Sequence, residues 1–303
     1  MIRTIIFSFN RPIQLELLLK SIVKYDSFHF LKVSVLYGFS SSEYEAGYQK
    51  LMEQFPNVFW IREQKHSKTT VWPFFPLYWR NYYWWLKYKS SRYAESNFKY
   101  QLIQMLDWFQ EELVMFLTDD SMFYKTISIP AFAVRSIQEK PEMYSFSLRH
   151  GENIEGGHFQ YTNKLLQWNI YSGQDHHEWN YPFSVDGQVY GKSFIQRVIR
   201  KVNFKNPNSL EGNIACFIKD MHLLPIVFCN PVSCLVGFEL NRVQNYCMNN
   251  NLNIDSKYLN SLFIDGYSME INFDNNENSF FRPLKFQVNA VRENELLNII
   301  TLK

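Results

Sequence analysis

The sequence lacks the features that mark several protein classes. Its 303 residues include 31 Lys and Arg against 29 Asp and Glu, so the formal net charge is only +2. A dedicated nucleic-acid-binding domain usually carries a strong basic excess, and we therefore expect no nucleic-acid partner. The four cysteines form no CxxC pair and lie among apolar or neutral neighbours, which indicates buried free thiols in a reducing compartment.

Long hydrophobic segments are also missing. No run of about 18 apolar residues occurs, so no membrane-spanning helix is predicted. The chain opens Met-Ile-Arg-Thr, without the basic and apolar regions of a secretory signal peptide. We expect a cytoplasmic protein, either free or in peripheral contact with the inner face of the membrane.

The two common glycine-rich nucleotide motifs are absent. The first predicted strand is followed by Ser-Phe-Asn-Arg-Pro at residues 8–12, and neither a GxGxxG nor a GxxxxGK[ST] sequence is present. A dinucleotide-dependent dehydrogenase and a P-loop enzyme are therefore disfavoured.

The first sixty residues alternate between strand and helix patterns. Strands are predicted at residues 4–9, 32–39 and 57–62, and helices follow the first two, with Asn10 as the N-cap of one helix and a capping box at 40–43 opening the other. This β-α-β-α-β order indicates a parallel sheet covered by helices. Ligands of such sheets bind where the strands end.

Two adjacent carboxylates end the next predicted strand. Residues 113–117 form a continuous apolar run, typical of a strand buried on both faces, and Thr118-Asp119-Asp120 follow it. A divalent cation such as Mn²⁺ or Mg²⁺ would compensate the two charges. If the chain stays extended, the side chains point opposite ways, with Asp120 on the metal and Asp119 towards the donor sugar. Helix capping by either aspartate is the structural alternative.

These segments together resemble the GT-A fold, family 2-like nucleotide-sugar glycosyltransferases. The resemblance rests on residues 4–12 with the Leu-rich helix after them, on residues 116–123 as a DxD-type motif, and on the placement of residues 98–101. Thr118 stands where many members have an acid. The resemblance implies a Rossmann-like, mostly parallel central sheet flanked by helices, an irregular acceptor half, and a donor bound as a nucleoside-diphosphate sugar, most simply a UDP-sugar. The resemblance places the nucleotide base at the end of the first strand. Together with the carboxylate pair and the strand-end positions, it leads us to predict donor contacts at Ser8, Asn10, Arg11, Lys99, Asp119 and Arg149, and metal ligands at Asp120, Asp119 and His222.

The resemblance extends over residues 1–240 in the order of parts. We therefore predict a glycosyltransferase domain at 1–240, divided into a nucleotide-binding half at 1–123 and an acceptor half at 124–240. Residues from about 249 onward are polar, rich in Asn and weakly periodic, and we interpret 241–303 as a C-terminal extension packed on the domain.

A catalytic base is expected in the acceptor half. An inverting transfer needs a carboxylate that removes the proton of the acceptor hydroxyl. Glu211 resembles the acid of the family at a loop-to-helix junction, although a capping box with Asn208 also explains it. Asp186 is the second candidate, and a plain Asp-Gly turn is its structural alternative.

Four further features were considered for the site. Arg149 ends a predicted strand and faces either the diphosphate or solvent, and His222 is either a third metal ligand or a packed side chain. Residues 175–178 contain metal-ligand types, but adjacent histidines do not easily face one ion, so no zinc site is predicted. The aromatic segment 72–88 packs in the core or an interface, or contacts the acceptor or a membrane surface.

Three functions remain open at this point. The first is a glycosyltransferase with a glycan or lipid-linked acceptor, as in surface polysaccharide assembly. The second is a sugar nucleotidyltransferase, which the missing Gly-rich loop after the first strand disfavours. The third is a non-catalytic module that binds carbohydrate or a partner and keeps a vestigial nucleotide site.

Overall fold

The computed structural model of the chain describes residues 1–64, 97–173, 178–243, 251–273, 283, 285–293 and 295–302. The helices are α1 (Pro12–Tyr25), α2 (Ser42–Gln54), α3 (Phe98–Trp108), α4 (Ala131–Glu139), α5 (Lys192–Lys201), α6 (Pro207–Asp220) and α7 (Ser256–Ile264). The strands are β1 (Ile2–Phe9), β2 (Leu31–Gly38), β3 (Phe59–Arg62), β4 (Leu113–Thr118), β5 (Ser121–Phe123), β6 (Tyr144–Ser147), β7 (Gln160–Thr162), β8 (Leu165–Asn169), β9 (Gln188–Gly191), β10 (Ile226–Cys229), β11 (Leu235–Gly237), β12 (Ser268–Phe273), β13 (Phe286–Arg292) and β14 (Glu295–Leu302).

A nine-stranded sheet with the order β3-β2-β1-β4-β9-β6-β10-β8-β7 forms the centre of the fold. Strands β3, β2, β1 and β4 are mutually parallel, β6 and β10 are parallel to each other, and β9 and β8 run against their neighbours. The α/β fold class with a mostly parallel central sheet flanked by helices is therefore confirmed.

The sheet is buried on both faces because β1 and β4 carry apolar side chains on both. Ile6 and Leu117 pack with α1, α2 and α4 on one face. Ile5 and Phe116 pack with α3, α5 and α6 on the other. Parallel sheets of this kind place their loops, and hence their ligands, at the carboxyl ends of the strands.

Helix α1 shows how the local sequence forms these layers. Pro12 suits its first turn, since that position needs no backbone N–H donor. Leu15, Leu18, Leu19 and Ile22 repeat at helical spacing and are all buried in the core. The helix thereby brings the residues just before it to the end of β1.

The described residues after 250 form more regular structure than the weak periodicity of the sequence indicates. They contain α7 and the antiparallel sheet β12-β13-β14. Leu259, Phe263, Met269 and Val288 belong to the same core as α1 and β1. The sequence pattern is weak because β14 is an edge strand with exposed apolar residues such as Leu296. The domain boundary at residue 240 stays a prediction.

The turns beside two predicted site residues are partly as the sequence indicates. The chain bends at residues 185–187 before β9 begins, and Gly187 has a left-handed φ of 80°, as an Asp-Gly turn requires. The capping box of α6 uses Asn206 and Ser209, so the predicted box of Asn208 and Glu211 was wrong. In the described segments, no helix combines the length and apolar character needed to cross a bilayer.

Candidate active site

A cleft of about 520 Å³ lies at the carboxyl ends of β1 and β4. Its walls come from the ends of β1, β3 and β4, the turn before β9, the N-terminus of α6 and the segment after β11. The lining residues are Phe7, Ser8, Phe9, Arg11, Leu36, Glu63, Phe98, Thr118, Asp119, Asp120, Val185, Asp186, Lys205, Asn206, Pro207, Asn208, Glu211, Glu239 and Val243. Six of these are carboxylates and two are Arg or Lys, so the cleft favours a cation.

Asn10 joins the ends of β1 and β2. Its backbone has a left-handed φ of 57°, and its carboxamide accepts from the Ser40 backbone N–H (2.9 Å) and donates to Ser40 Oγ (2.8 Å). The predicted N-cap role was wrong, because Arg11 occupies that position and no side chain caps the helix. The contact of Asn10 with the donor stays a prediction. Asn10 is not among the residues that line the cleft.

Arg11 is buried and binds two different parts of the chain. Its Nη1 donates to Asp119 Oδ1 (2.9 Å) and to Asp120 Oδ2 (2.8 Å). Its Nε donates to Asn241 Oδ1 (2.7 Å), and its Nη2 donates to the Asn241 backbone carbonyl. The guanidinium thus holds the carboxylate pair and ties it to the segment after β11.

Asp119 and Asp120 lie on the same side of the chain. Opposite orientations were predicted for an extended chain, and that condition is not met, because the strand ends at Thr118 and the two residues form a turn before β5. Both carboxylates therefore reach the same guanidinium nitrogen. Asp119 Oδ2 also accepts from the Phe9 backbone N–H (3.1 Å). Burial raises the pKa of Asp119 to about 6, although the Arg11 charge opposes that rise.

A divalent cation fits at Asp120. The side chain of Asp120 is 17% exposed, and its Oδ1 makes no hydrogen bond to any residue in the described part of the chain. Both oxygens of Asp119 are already bonded, to Arg11 and to Phe9. Magnesium and manganese bind through one or two carboxylates together with substrate phosphates, so a single protein ligand is sufficient. Among residues 1–64, 97–173 and the other described segments, no three His, Cys, Asp or Glu side chains are grouped to hold a metal.

Ser8 lies beneath the carboxylate pair. Its Oγ is 2.7 Å from the Tyr48 hydroxyl, which also accepts from the Arg11 backbone N–H (3.4 Å). Tyr48 is fully buried, and burial raises its pKa far above the usual tyrosine range. The phenol is therefore neutral, and it fixes Ser8 and the start of α1 relative to each other.

Asp186, in the turn before β9, and Glu211, near the start of α6, also line the cleft. Asp186 Oδ1 accepts from Thr118 Oγ1 (2.5 Å), and its Oδ2 forms an ion pair with Arg149 Nη1 (2.8 Å). Glu211, in the first turns of α6, accepts from the Val185 backbone N–H (3.1 Å). Burial, and then the charge of Asp186, raise the pKa of Glu211 to about 7. A carboxyl group with that pKa exchanges a proton readily near neutral pH.

Three predicted site residues lie away from the cleft. Lys99 Nζ donates to the Val202 carbonyl (2.7 Å), and burial lowers its pKa to about 8. Arg149 does not line the cleft, but it forms an ion pair with Asp186, which does. His222 follows the C-terminal end of α6 and stacks on Tyr171, with ring centroids 5.1 Å apart. Helix α6 has 14 residues and is therefore about 21 Å long, which separates His222 from the helix start that lines the cleft.

Some residues of the site were missed in the sequence, and two predictions cannot be placed. Glu63 lines the cleft directly after β3, so the strand-end rule could have found it. Asn241, Glu239 and Lys205 had no local signal, because only the fold brings their segments to the cleft. The aromatic segment 72–88 and residues 175–177 lie outside the described residues.

Sequence comparison finds one relevant relative. No family model matches the chain. The chain is 24% identical, in an alignment 246 positions long that covers 70% of the chain, to the bifunctional glycosyltransferase pgtA of Dictyostelium discoideum. It spans only 28% of that relative's length.

Structural comparison gives weaker similarities. The mannosyltransferase PcManGT of Pyrobaculum calidifontis, in complex with GDP-Man and Mn²⁺, is 13% identical with a TM-score of 0.39, over 76% of this chain and 56% of that one. TarS of S. aureus is 13% identical with a TM-score of 0.44, and the match covers 78% of this chain and 36% of that one. The inositol-1-phosphate CTP transferase of T. maritima is 10% identical with a TM-score of 0.39, and the match covers 88% of this chain and 97% of that one. The similarity in sequence to pgtA confirms the resemblance to glycosyltransferases that the chain's motifs predict.

Proposed function

We propose that the protein is a metal-assisted glycosyltransferase that moves a sugar from a nucleoside-diphosphate sugar to a hydroxyl acceptor. The observation that carries this proposal is that Asp120 and Glu211 line the same cleft. One carboxylate is suited to a cation that binds a diphosphate, and the other is suited to accept a proton. The sequence similarity to a glycosyltransferase supports the same assignment.

The donor half of the proposal follows from charge. A nucleoside diphosphate is an anion, and a cleft lined by six carboxylates repels it unless a cation is present. We assign Asp120 as the protein ligand of Mn²⁺ or Mg²⁺, which when bound would stabilise the charge of the departing diphosphate. Asp119 holds Phe9 and Arg11 in place beside it. Ser8, at the end of β1, is the further donor contact we propose, and UDP is the nucleotide.

The acceptor half assigns Glu211 as the base. In an inverting transfer, the acceptor hydroxyl oxygen forms the bond to the anomeric carbon while the bond from that carbon to the diphosphate oxygen breaks. The hydroxyl proton passes to the Glu211 carboxylate, and the nucleoside diphosphate leaves. A pKa of about 7 makes Glu211 a stronger base than an ordinary glutamate.

The remaining parts of the proposal rest on the resemblance alone. They are a glycan or lipid-linked acceptor and a role in surface glycan or polysaccharide synthesis. We also propose a cytoplasmic location with peripheral contact at the inner face of the membrane, which is the expectation from the sequence composition.

Calorimetric titration with UDP and GDP, each with and without Mn²⁺, tests the donor site. We expect one nucleotide to bind only with the metal, and Asp120→Asn to abolish that binding. Glu111→Gln is the matched control, because Glu111 is a partly buried carboxylate paired with Arg3 at the other end of β1. Absence of binding under all conditions contradicts the proposal and favours a vestigial site. Once a donor sugar is found, loss of transfer with retained nucleotide binding in Glu211→Gln identifies the base.

A further inference from the structure

Asp186 is bonded through both of its carboxylate oxygens. One accepts from Thr118 at the end of β4, and the other pairs with Arg149, which follows β6. The Arg149 side chain is 14% exposed and that of Asp186 is 23% exposed, so water screens the pair only partly. The Asp186 carboxylate is therefore fixed by partners at the ends of two different strands.

The turn that contains Asp186 also holds Glu211. The Asp186 backbone N–H donates to Ser184 Oγ (3.1 Å), and the Val185 backbone N–H donates to Glu211 Oε1 (3.1 Å). At the other side of the turn, the Gly187 backbone N–H donates to the Phe116 carbonyl (2.9 Å). Displacement of Asp186 would therefore displace the donor that orients Glu211.

We infer that Asp186 is a positioning residue for Glu211, and that Thr118, Asp186 and Arg149 form a network that orients this carboxyl group and sets its charge. The inference rests on the proposed role of Glu211 as base. It replaces the interpretation of Asp186 as a second base and of Arg149 as a donor contact, and it gives Thr118 a function independent of the metal motif.

The charges around Glu211 act in opposite directions. Apart from burial, the charge of Asp186 raises the pKa of Glu211, and the charge of Arg149 lowers it. In the described part of the chain, Tyr181 and Tyr190 also interact electrostatically with Glu211, and burial raises the pKa of both, so both are neutral near pH 7. Opposite shifts are therefore expected when the two charged members of the network are neutralised one at a time.

A carboxyl NMR titration of the full chain tests this without any substrate. The protein is labelled at the glutamate ¹³Cδ, and the Glu211 signal is assigned by its loss in Glu211→Gln. We expect a wild-type midpoint near pH 7. The midpoint should fall by about one pH unit in Asp186→Asn and rise by a smaller amount in Arg149→Gln. Glu111→Gln and Arg3→Gln remove the same charges from the remote Arg3–Glu111 pair and should leave the midpoint unchanged.

Opposite shifts in the two variants support the network, because a loosened turn alone would move the midpoint in one common direction. Shifts in the same direction, or no shift in either variant, overturn it. If Asp186→Asn does not fold, Arg149→Gln decides alone, and an unchanged or lowered midpoint refutes the inference. Failure of the proposed function can be told apart from failure of this inference. Opposite pKa shifts in a protein that binds no nucleotide would support the network and contradict only the transferase assignment.

Discussion

Arg11 and Asp119 form a buried ion pair that joins residues 108 positions apart in the chain, with Arg11 Nη1 2.9 Å from Asp119 Oδ1. The same nitrogen lies 2.8 Å from Asp120 Oδ2. Arginine keeps its charge at any physiological pH. The two carboxylates can therefore lie together in the folded protein before any metal binds.

Removal of this guanidinium should be costly. In Arg11→Met, two carboxylates lose their buried partner, and we expect the free energy of unfolding to fall by about 3–5 kcal/mol. Urea unfolding at pH 7 measures the loss. Arg3→Met is the control, because Arg3 pairs with a single carboxylate, and its loss should be smaller. A loss below about 1 kcal/mol in Arg11→Met would show that the ion pairs are not stabilising.

The same variant offers a test of the cation site. With Arg11 absent, a divalent ion is the remaining source of positive charge between the aspartates. We expect Mn²⁺ to raise the Tm of Arg11→Met more than that of the wild type. An equal effect of Mn²⁺ on both proteins would place its binding elsewhere.

Glu211 should make the protein less stable as the pH rises. Its pKa in the folded chain is about 7, above the ordinary value of 4.5, so between these values the folded state holds a proton that the unfolded state has released. Stability is therefore lost as the pH passes from about 5 to 8. Relative to Glu211→Gln, the wild type should lose about 1–3 kcal/mol over that range. Parallel pH profiles of the two proteins, from urea unfolding, would contradict a raised pKa.

Two glycines near the site should respond to alanine in opposite ways. Gly187 has a φ of +80°, and a Cβ there would lie 2.2 Å from Leu235 Cδ2, so Gly187→Ala should destabilise the fold by about 1–3 kcal/mol. Gly212 lies within α6 with no atom near its added Cβ, so Gly212→Ala should stabilise by about 0.5–1 kcal/mol. Thermal unfolding of both variants is the measurement. A neutral Gly187→Ala would mean that the turn at Asp186 is not constrained.

We expect the backbone conformation of Asn10, at the end of β1, to affect nucleotide binding in the cleft. Asn10→Gly removes its bonds to Ser40 but accepts the left-handed φ, whereas Asn10→Ala adds backbone strain of about 1–2 kcal/mol. The Ala variant should therefore be the less stable of the two, and both should weaken nucleotide binding. Asn163, exposed and at φ 52° in the turn before β8, is the control. Its Gly and Ala variants should differ in stability alone, and weakened nucleotide binding there would argue against the role of Asn10.

Local pattern was enough to predict the nucleotide-binding half of the fold. The apolar run 113–117 predicted β4, and the leucines at helical spacing after Pro12 predicted α1. A strand buried on both faces has a continuous apolar run, whereas a helix buried along one side has apolar residues every three or four positions. The strand-end rule then located Asp119, Asp120 and Arg11 at one edge of the sheet. These features depend only on residues close together in the chain.

Other predictions failed where a distant partner decided the conformation. Asn10 carries a typical capping side chain, but Ser40 at the neighbouring strand end provides better partners. Asp119 and Asp120 were expected on opposite sides of an extended chain, yet the turn into β5 places both on Arg11. In each case the contact joins residues at least 30 positions apart in the chain, and a local sequence pattern carries no information about such a pair.

The sequence by itself determined the α/β class, the position of the carboxylate pair and the identity of Glu211 as an acid at a helix start. Periodicity and strand-end chemistry are local, so the order of residues suffices for them. Only the tertiary structure decided that Arg11 neutralises the pair, that Asp186 is held by Thr118 and Arg149, and that His222 lies at the far end of α6. Those relationships depend on which strand ends become neighbours, and packing of the whole core fixes that.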